Sequence, residues 1–283
     1  MTGEQVGGGL TPVVRVGETI RRATGPWTPA VHALLEHLAA LGFEGAPRVH
    51  GYDDYGREVI EFVEGEIRSD CDDEELAAIA RLVHRLHDST TTFQPPSDAR
   101  WQVLVGSPDG GDVICHNDLS PANTVWSGGV PRAFIDWDLA APGPRSWDVA
   151  YALYRFVPLY SDDDCARLEI PPRPRAPRIH AFCGAYGIDA TAGLLDLVER
   201  RVRALYDSAR IWGEAGAPGW SDVWRLRGES SGFGRCALSS NTATNGFASR
   251  RIVQWRNRTR RGVPWPAQTR AGSSVTAARR PRR

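Results

Sequence analysis

The chain has 283 residues, of which 41% are apolar and 24% are charged. This length excludes a small disulfide-stabilised protein and is sufficient for one large hydrophobic core or two smaller ones. The 34 basic residues balance the 34 acidic ones, and every basic residue is an arginine. The lack of lysine in these 283 residues excludes a lysine nucleophile, a lysine Schiff base and a phosphate-binding lysine.

The charge is unevenly distributed along the chain. Residues 226–283, here called the basic tail, contain 13 arginines and one acidic residue, Glu229, and carry a net charge of +12. The first 225 residues, here called the acidic body, contain 21 arginines and 33 acidic residues and carry a net charge of −12. The neutral total therefore combines two parts of opposite charge.

The cysteines and the apolar stretches bear on the location of the protein. The five cysteines are scattered without a CxxC pair, which is typical of reduced thiols rather than of a disulfide framework or a zinc site. No basic and apolar leader is visible, and no apolar stretch approaches the ~20 residues that span a bilayer. We expect a cytoplasmic protein without a membrane partner.

The first 65 residues show the pattern strand, strand, helix, strand, strand. Between the two strand pairs, Thr28 and Pro29 are typical of a helix start, and Gly42 is typical of a helix end. Strands are predicted at residues 13–16, 19–22, 47–52 and 57–63, with tight turns at 17–18 and 53–56.

The following residues are predicted to be mostly helical. Ser69 and Asp70 precede an acidic turn, which is favourable at a helix N-terminus. Short strands are predicted within residues 112–137, and helical patterns run from Trp147 to about Trp212 with a proline-rich break. The basic tail is rich in Ser, Thr, Gly and Arg and lacks a sustained apolar period, which predicts disorder.

Four polar residues, His116, Asp118, Asn123 and Asp136, lie within apolar, strand-like sequence. Asp118 and Asn123 are five residues apart in a predicted loop, and a predicted hairpin returns the chain so that Asp136 lies beside them. An amide and a carboxylate oxygen suit Mg²⁺, which keeps several waters and bridges phosphates. Asp118 is then free to face a substrate hydroxyl, and this set is what phosphoryl transfer requires.

The spacing His116-x-Asp118-x-x-x-x-Asn123, with Asp136 further on, follows the kinase catalytic-loop pattern. On these residues the sequence resembles the aminoglycoside phosphotransferase (phosphotransferase enzyme) family, from about residue 6 to about residue 212. The resemblance implies an α+β fold of the two-lobed, protein-kinase-like type. A small β-rich N-lobe would cover residues 1–65, a mostly helical C-lobe residues 66–225, and a poorly ordered tail residues 226–283.

The resemblance also implies roles for individual residues. Asp118 would be the catalytic base, and Asn123 and Asp136 would be the Mg²⁺ ligands. Asp148 would brace the catalytic loop, and Asp138 would support the neighbouring metal ligand. His116 is interpreted as a buried scaffold residue, because Asp118 already fills the role of the base.

The nucleotide, ATP or GTP, is expected between the lobes, against the connection formed by Phe62 and Val63. The family's nucleotide loop corresponds in position to Gly7, Gly8 and Gly9, for which a flexible N-terminal segment is the alternative interpretation.

Two departures from the family concern the phosphate-binding lysine. Arg21 and Arg22 occupy its place, and Arg21 is our first choice and Arg22 the second, because a one-residue shift of register exchanges the two faces of a strand. Arginine binds phosphate bidentately, so nucleotide binding is retained with a different geometry. The helix glutamate that normally pairs with the lysine is not evident, and His32 and Glu36 are the nearest residues.

The acceptor is expected to be a small molecule. Only about ten residues separate Asp136 from Trp147, and Asn117 replaces the arginine that reads an activation-loop phosphate in protein kinases. The acidic body favours a cationic acceptor, such as an aminoglycoside or an amino-alcohol. Residues Asp162, Asp163 and Asp164 are predicted in a loop where family members bind substrate; the alternative is an acidic helix cap.

Three other interpretations stay open at this point. The missing lysine is compatible with a catalytically weak, nucleotide-binding pseudokinase. The basic tail, with Trp255 and Trp265, is compatible with a nucleic-acid binder, although it contains no recognisable fold and this partner is not favoured. For the tail we favour a third account: near Trp224 the helical pattern ends and acidic residues nearly vanish, as translation of a GC-rich gene in a shifted reading frame would produce.

Overall fold

The computed structural model describes residues 4–5, 13–217 and 219–227. Contacts divide the chain into two units, Met1–Val253 and Gln254–Arg283, and all described residues belong to the first. The predictions for Gly7, Gly8 and Gly9, and those for the basic tail beyond Arg227, lie outside the described residues. In the described part of the chain, no helix is long and apolar enough to span a membrane.

An antiparallel five-stranded sheet forms the N-terminal part, in the order β1-β2-β3-β5-β4. The predicted turn at Gly17 and Glu18 is confirmed: Gly17 has a φ of 61°, which a two-residue hairpin turn requires and glycine adopts without strain. The strands are β1 (Glu4–Gln5), β2 (Val14–Val16), β3 (Thr19–Arg22), β4 (Val49–Tyr52) and β5 (Glu58–Glu61).

Helix α1 (Thr28–Ala40) connects β3 to β4. Its N-cap is Trp27 rather than Thr28, because Thr28 is already helical and its hydroxyl accepts a hydrogen bond from the Gly25 N–H at 2.9 Å. Pro29 lies in the first turn, where a missing N–H costs no intrahelical bond.

The C-terminal part is mostly helical and carries two small sheets, β6-β8-β9 and β7-β10. Its strands are β6 (Glu66–Ile67), β7 (Val113–Cys115), β8 (Thr124–Ser127), β9 (Val130–Phe134) and β10 (Ala141–Gly143). Its helices are α2 (Asp73–Thr90), α3 (Arg145–Phe156), α4 (Asp162–Arg167), α5 (Arg175–Tyr186), α6 (Ala192–Glu214) and α7 (Trp220–Arg227), with a single 3₁₀ turn at Pro121–Asn123.

Helix α2 begins later than Ser69 and Asp70 suggested. Its N-cap is Asp72, whose side chain accepts from the Glu75 N–H at 2.8 Å while the Glu75 side chain accepts from the Asp72 N–H at 2.8 Å. This reciprocal capping box fixes the helix start.

One continuous hydrophobic core joins helices α1, α2, α3 and α5. Leu34 and Leu38 of α1, Leu76 and Leu86 of α2, and Leu153 of α3 are all fully buried in it. Val49 of β4 packs against this core and Leu119, in the loop after β7, is part of it, while the lobe boundary near residue 65 stays a prediction.

Candidate active site

The buried carboxylate of Asp148, in the first turn of α3, holds the loop between β7 and the 3₁₀ turn. It accepts hydrogen bonds from the backbone N–H groups of His116 and Asn117, at 2.7 and 2.9 Å, and His87 Nε2 lies 3.2 Å away. Burial alone would raise the pKa of Asp148, but the hydrogen bond and charge of His87, with the neighbouring His116, lower it below the ordinary value. Asp148 therefore lies where the resemblance places the brace of the catalytic loop.

His116 is fully buried and uses both ring nitrogens within the fold. Nδ1 accepts from the Asp118 N–H at 3.2 Å, and Nε2 donates to the Ile135 carbonyl at 3.1 Å. Burial lowers the pKa of His116, which favours the neutral ring that this bonding pattern needs. The geometry fits the scaffold interpretation.

The predicted hairpin is confirmed and brings Asp136 back towards Asn123. Strand β8 begins after Asn123, and Gly128 and Gly129 form the turn with φ values of 59° and 79°. The Ile135 N–H then donates to the Asn123 carbonyl at 2.9 Å, which closes the hairpin next to Asp136. Asp136 itself has a φ of 64°, in the left-handed region.

Asn123 also contacts Asp118. Its Nδ2 donates to Asp118 Oδ2 at 2.7 Å and to the Asp118 carbonyl at 3.1 Å. Since both contacts use the amide nitrogen, the Asn123 amide oxygen is available as an acceptor for a ligand. The three residues predicted as base and metal ligands therefore lie around one small volume.

Arg22 is the arginine of β3 that reaches this volume. Its Nη1 donates to Asp136 Oδ1 at 2.9 Å and its Nη2 to Asp138 Oδ1 at 2.7 Å, and the residue is buried. Arg21, our first choice, lies on the other face of the strand, where it donates to the Thr19 hydroxyl at 2.5 Å and pairs with Asp53 at 3.9 Å. The geometry favours Arg22, the second choice, because strand alternation separates the two faces without identifying the inner one, and the phosphate contact of either arginine stays a prediction.

Glu58 is a site residue that the sequence analysis missed. It is buried, and it stands directly opposite Arg22 in the pairing of β3 with β5. Its Oε1 contacts Arg22 Nε as an ion pair, and its Oε2 accepts from His32 Nε2 at 2.9 Å. Glu36 is exposed. The available signal was an acidic residue at the start of the apolar strand Glu58–Glu61.

The charges around Arg22 fit a divalent cation. Three carboxylates, those of Glu58, Asp136 and Asp138, surround one guanidinium. Burial raises the pKa of the Asp138 carboxyl to about 6 against the opposing charge of Arg22, and the carboxylates of Asp136 and Glu58 add to the rise. A divalent cation would neutralise this surplus of negative charge.

The donor atoms fit as well. The Asp136 side chain is 53% exposed, and together with the Asn123 amide oxygen it supplies the oxygen ligands that Mg²⁺ prefers. Among the described residues, no group of three or more His, Cys, Asp or Glu side chains could hold a metal ion alone. A cation here would therefore complete its coordination with water and phosphate oxygens.

Two residues of α3, Tyr151 and Arg155, influence Asp118. Burial raises the pKa of the half-buried Asp118, the Arg155 charge opposes that rise, and the Tyr151 hydroxyl donates to the carboxyl. Arg155 Nη1 in turn donates to the Tyr151 hydroxyl at 2.8 Å. Neither residue was predicted from the sequence, although they follow Asp148 by three and seven residues and so share its helix face.

Phe62 and Val63 form the connection between β5 and β6, where the nucleotide is predicted. The Phe62 N–H donates to the Glu18 carbonyl at 2.9 Å, and the Arg15 guanidinium stacks 3.7 Å above the Phe62 ring. Val63 is buried against Val125. These contacts fix the connection, and its nucleotide contact stays a prediction.

Of the two interpretations of Asp162, Asp163 and Asp164, the acidic helix cap is observed and the loop is not, since they form the first turn of α4 after the N-cap Ser161. Asp162 pairs with Arg175 at 2.9 Å, and Asp164 accepts from the Ser161 hydroxyl at 2.6 Å. Acidic residues are favoured at this end of a helix. Their contact with an acceptor stays a prediction.

Comparison with solved structures shows a shared fold. An amicoumacin kinase in complex with AMP-PNP, Ca²⁺ and Ami aligns with a TM-score of 0.58 at 12% identity, over 80% of this chain and 87% of that one. A point mutant of aminoglycoside 2'-phosphotransferase-IIIa in its GDP complex aligns with a TM-score of 0.50 at 14% identity, over 80% and 88% of the chains. These alignments show that the chain has a kinase-like fold.

Comparison of sequences identifies the family. A sequence model described as the phosphotransferase enzyme family matches residues 98–194, which include the loop from His116 to Asn123 as well as Asp136 and Asp148. The trifolitoxin immunity protein of Rhizobium leguminosarum bv. trifolii is 34% identical over 241 residues, which cover 79% of this chain and 92% of that protein. The chain belongs to the phosphotransferase enzyme family.

Proposed function

We propose that this chain transfers the γ-phosphoryl group of a nucleoside triphosphate to a hydroxyl group of a small molecule. The observation that carries the proposal is the convergence of Asp118, Asn123, Asp136 and Arg22. Asn123 lies 2.7 Å from the Asp118 carboxylate, and Arg22 lies 2.9 Å from the Asp136 carboxylate. A base, two oxygen ligands and a cation within one volume are the parts that phosphoryl transfer uses.

Asp118 is the proposed base. It accepts the proton of the acceptor hydroxyl as that oxygen forms its bond to the γ-phosphorus, and the bond to the bridging oxygen breaks to release the nucleoside diphosphate. The Asn123 amide fixes Asp118 Oδ2 in place. The Tyr151 hydroxyl also donates to this carboxyl, and the remaining lone pairs of the carboxylate are proposed to face the acceptor hydroxyl.

Arg22, Asn123 and Asp136 are the proposed phosphate and metal contacts. Asn123 and Asp136 would hold a divalent cation, for which their oxygen atoms favour Mg²⁺ and which would neutralise charge on the phosphates. Arg22 would add a guanidinium, a planar donor group that matches phosphate oxygens. The nucleotide would lie against Phe62 and Val63, with ATP the first donor to test and GTP the second.

The proposed acceptor is a small cationic molecule of the aminoglycoside or amino-alcohol type. The net charge of −12 on the acidic body supports this choice, because a negative surface raises the local concentration of cations. Asp163, at the start of α4, is the carboxylate of the Asp162–Asp164 group to test first for an acceptor contact.

A phosphorylation screen tests the proposal. The full chain is incubated with ATP or GTP, Mg²⁺ and a panel of aminoglycosides and amino-alcohols, and the products are identified by mass spectrometry. We expect a phosphorylated acceptor with the wild type and none with Asp118→Asn. Equal product with both proteins would contradict the role of Asp118.

The relative named trifolitoxin immunity protein favours a second candidate function, protection of a cell from a toxic compound. The test is growth of a sensitive strain that expresses this chain in the presence of trifolitoxin. Protection by the wild type and not by Asp118→Asn would link protection to phosphoryl transfer. Equal sensitivity with the wild type and with an empty vector would remove this candidate.

A further inference from the structure

The guanidinium of Arg22 is held from three directions by carboxylates on three different segments. Glu58 of β5 contacts Nε, while Asp136 and Asp138, after β9, accept from Nη1 and Nη2 at 2.9 and 2.7 Å. Arg22 and Glu58 are 7% and 2% exposed, so this ion pair is out of solvent, whereas the Asp136 side chain is 53% exposed. A charge in such a place needs partners on every side.

Glu58 differs from the other two carboxylates in what holds it. It lies on the central part of the sheet, opposite Arg22 in the β3–β5 pairing. Its second oxygen accepts from His32 Nε2 at 2.9 Å, and His32 is itself buried on α1. Glu58 is therefore tied to both the sheet and the helix, whereas Asp136 is half exposed.

We propose that Glu58, anchored through His32, is the positioning residue that fixes Arg22 for the nucleotide phosphates. In the family that this chain resembles, a helix glutamate pairs with the phosphate-binding lysine. Here Glu58 of β5, held by His32 of α1, would hold Arg22 in the same way. The proposal rests on the proposed function, since it assumes that Arg22 contacts phosphate.

The pairing also explains why an arginine suits this position. Nη1 and Nη2 donate to Asp136 and Asp138, while Nε lies in ion-pair contact with Glu58 without a hydrogen bond of its own. Lysine has one nitrogen on a flexible stem and presents no fixed fork. In this chain the lysine typical of the family would thus be a poor replacement for Arg22.

Glu58 also affects the metal ligand through Arg22. The positive charge of Arg22 is attracted to three carboxylates, and a charged Glu58 takes up part of that attraction, which weakens the interaction of Arg22 with Asp136 and Asp138. Neutralising Glu58 leaves that attraction to the two aspartates, and the guanidinium then competes more strongly with a divalent cation for Asp136. Loss of the Glu58 charge should therefore weaken binding of a nucleotide that carries Mg²⁺, and added Mg²⁺ should reduce the loss.

The test is calorimetric titration of the full chain with ADP at low and high Mg²⁺, with no acceptor needed. Glu58→Gln keeps the size of the side chain and removes its charge. Glu61→Gln is the matched control on the same strand, since Glu61 accepts only from the Arg48 N–H, at 3.0 Å, in the contacts of the described residues. Melting temperatures identify any variant that fails to fold.

We expect Glu58→Gln to weaken ADP binding about tenfold at low Mg²⁺ and less at high Mg²⁺, with Glu61→Gln unchanged. Arg22→Lys should also lose about tenfold or more, and it keeps the test decisive should Glu58→Gln not fold. Wild-type affinity in folded Glu58→Gln or in Arg22→Lys, or a loss that Mg²⁺ does not reduce, would overturn the proposal. Absence of ADP binding by the wild type would overturn the proposed function instead, and this inference with it.

Discussion

Arg22 and Asp136 meet across 114 residues of sequence, and the hydrogen bond from Nη1 to Oδ1, 2.9 Å long, joins the N-terminal sheet to the segment after the β8–β9 hairpin. This contact places the cation of β3 beside the carboxylate that the sequence indicated as a metal ligand. The arginine that replaces the family's lysine therefore contacts a proposed metal ligand directly.

Arg22 and Arg21 form a natural pair for substitution because they are adjacent and lie on opposite faces of β3. Arg22→Ala leaves the buried Glu58 carboxylate without its ion pair, which should cost about 3 kcal/mol of unfolding free energy or more and abolish ADP binding. Arg21→Ala removes a partly buried contact to Asp53, which Arg57 still pairs at 2.7 Å, so it should cost less unfolding free energy and leave ADP binding nearly unchanged. Chemical denaturation and ADP titration of the two variants give the measurement, and an equal loss in both would contradict the assignment of faces.

Asp148→Asn should weaken the brace of the catalytic loop. One oxygen becomes an NH₂ group, so the His116 or the Asn117 N–H loses its buried acceptor, at a cost of about 2 kcal/mol. We expect faster amide hydrogen exchange at residues 116–118 and lower turnover. Unchanged exchange would show that Asp148 does not hold the loop.

The same variant gives a pH test of stability. Since the folded-state pKa of Asp148 lies below the ordinary value of 3.8, its carboxylate stabilises the fold above that value. The stabilisation is lost as the pH falls through the folded-state pKa. The stability difference between wild type and Asp148→Asn should therefore be constant near neutral pH and shrink in acid, as followed by denaturant unfolding across pH. A difference that grows in acid would contradict this assignment.

Arg155→Gln should shift the pH profile of turnover. Burial raises the pKa of Asp118, and the Arg155 charge limits that rise, so its removal raises the pKa further. Because the proposed base must be ionised, the acidic limb of kcat/KM should move to higher pH. Arg203→Gln, on α6, is a comparison in which we expect no shift, and a matching shift there would contradict a specific effect on Asp118.

Local elements were largely predictable from the sequence. The β2–β3 hairpin, the α1 helix and the β8–β9 hairpin follow from alternation, helical spacing and turn glycines, all of which act within a few residues. The predicted positions of the helix ends were less accurate, since Asp72 rather than Ser69 or Asp70 caps α2. The acidic run at 162–164 proved to be a helix start because Ser161 caps it.

The site was predictable where its residues are close in sequence and not where the fold brings them together. Asp118 and Asn123 lie in one loop, and one hairpin returns Asp136 to them. Glu58 reaches Arg22 through the β3–β5 register, which the alternation of either strand alone does not define. The helical spacing of Tyr151 and Arg155 is compatible with either buried or exposed positions. Their effect on Asp118 depends on the packing of α3 beside the loop of residues 116–123, which the spacing does not define.

Whether the chain transfers the γ-phosphoryl group with Asp118 as the base is tested with radiolabelled ATP. Wild type and Asp118→Asn are compared for transfer of the labelled γ-phosphate to an acceptor found in the screen. ADP titration verifies that both proteins bind nucleotide. We expect labelled acceptor with the wild type. With Asp118→Asn the labelling rate should fall by at least about 100-fold, while the affinity for ADP stays similar. Equal labelling by the two proteins would contradict it.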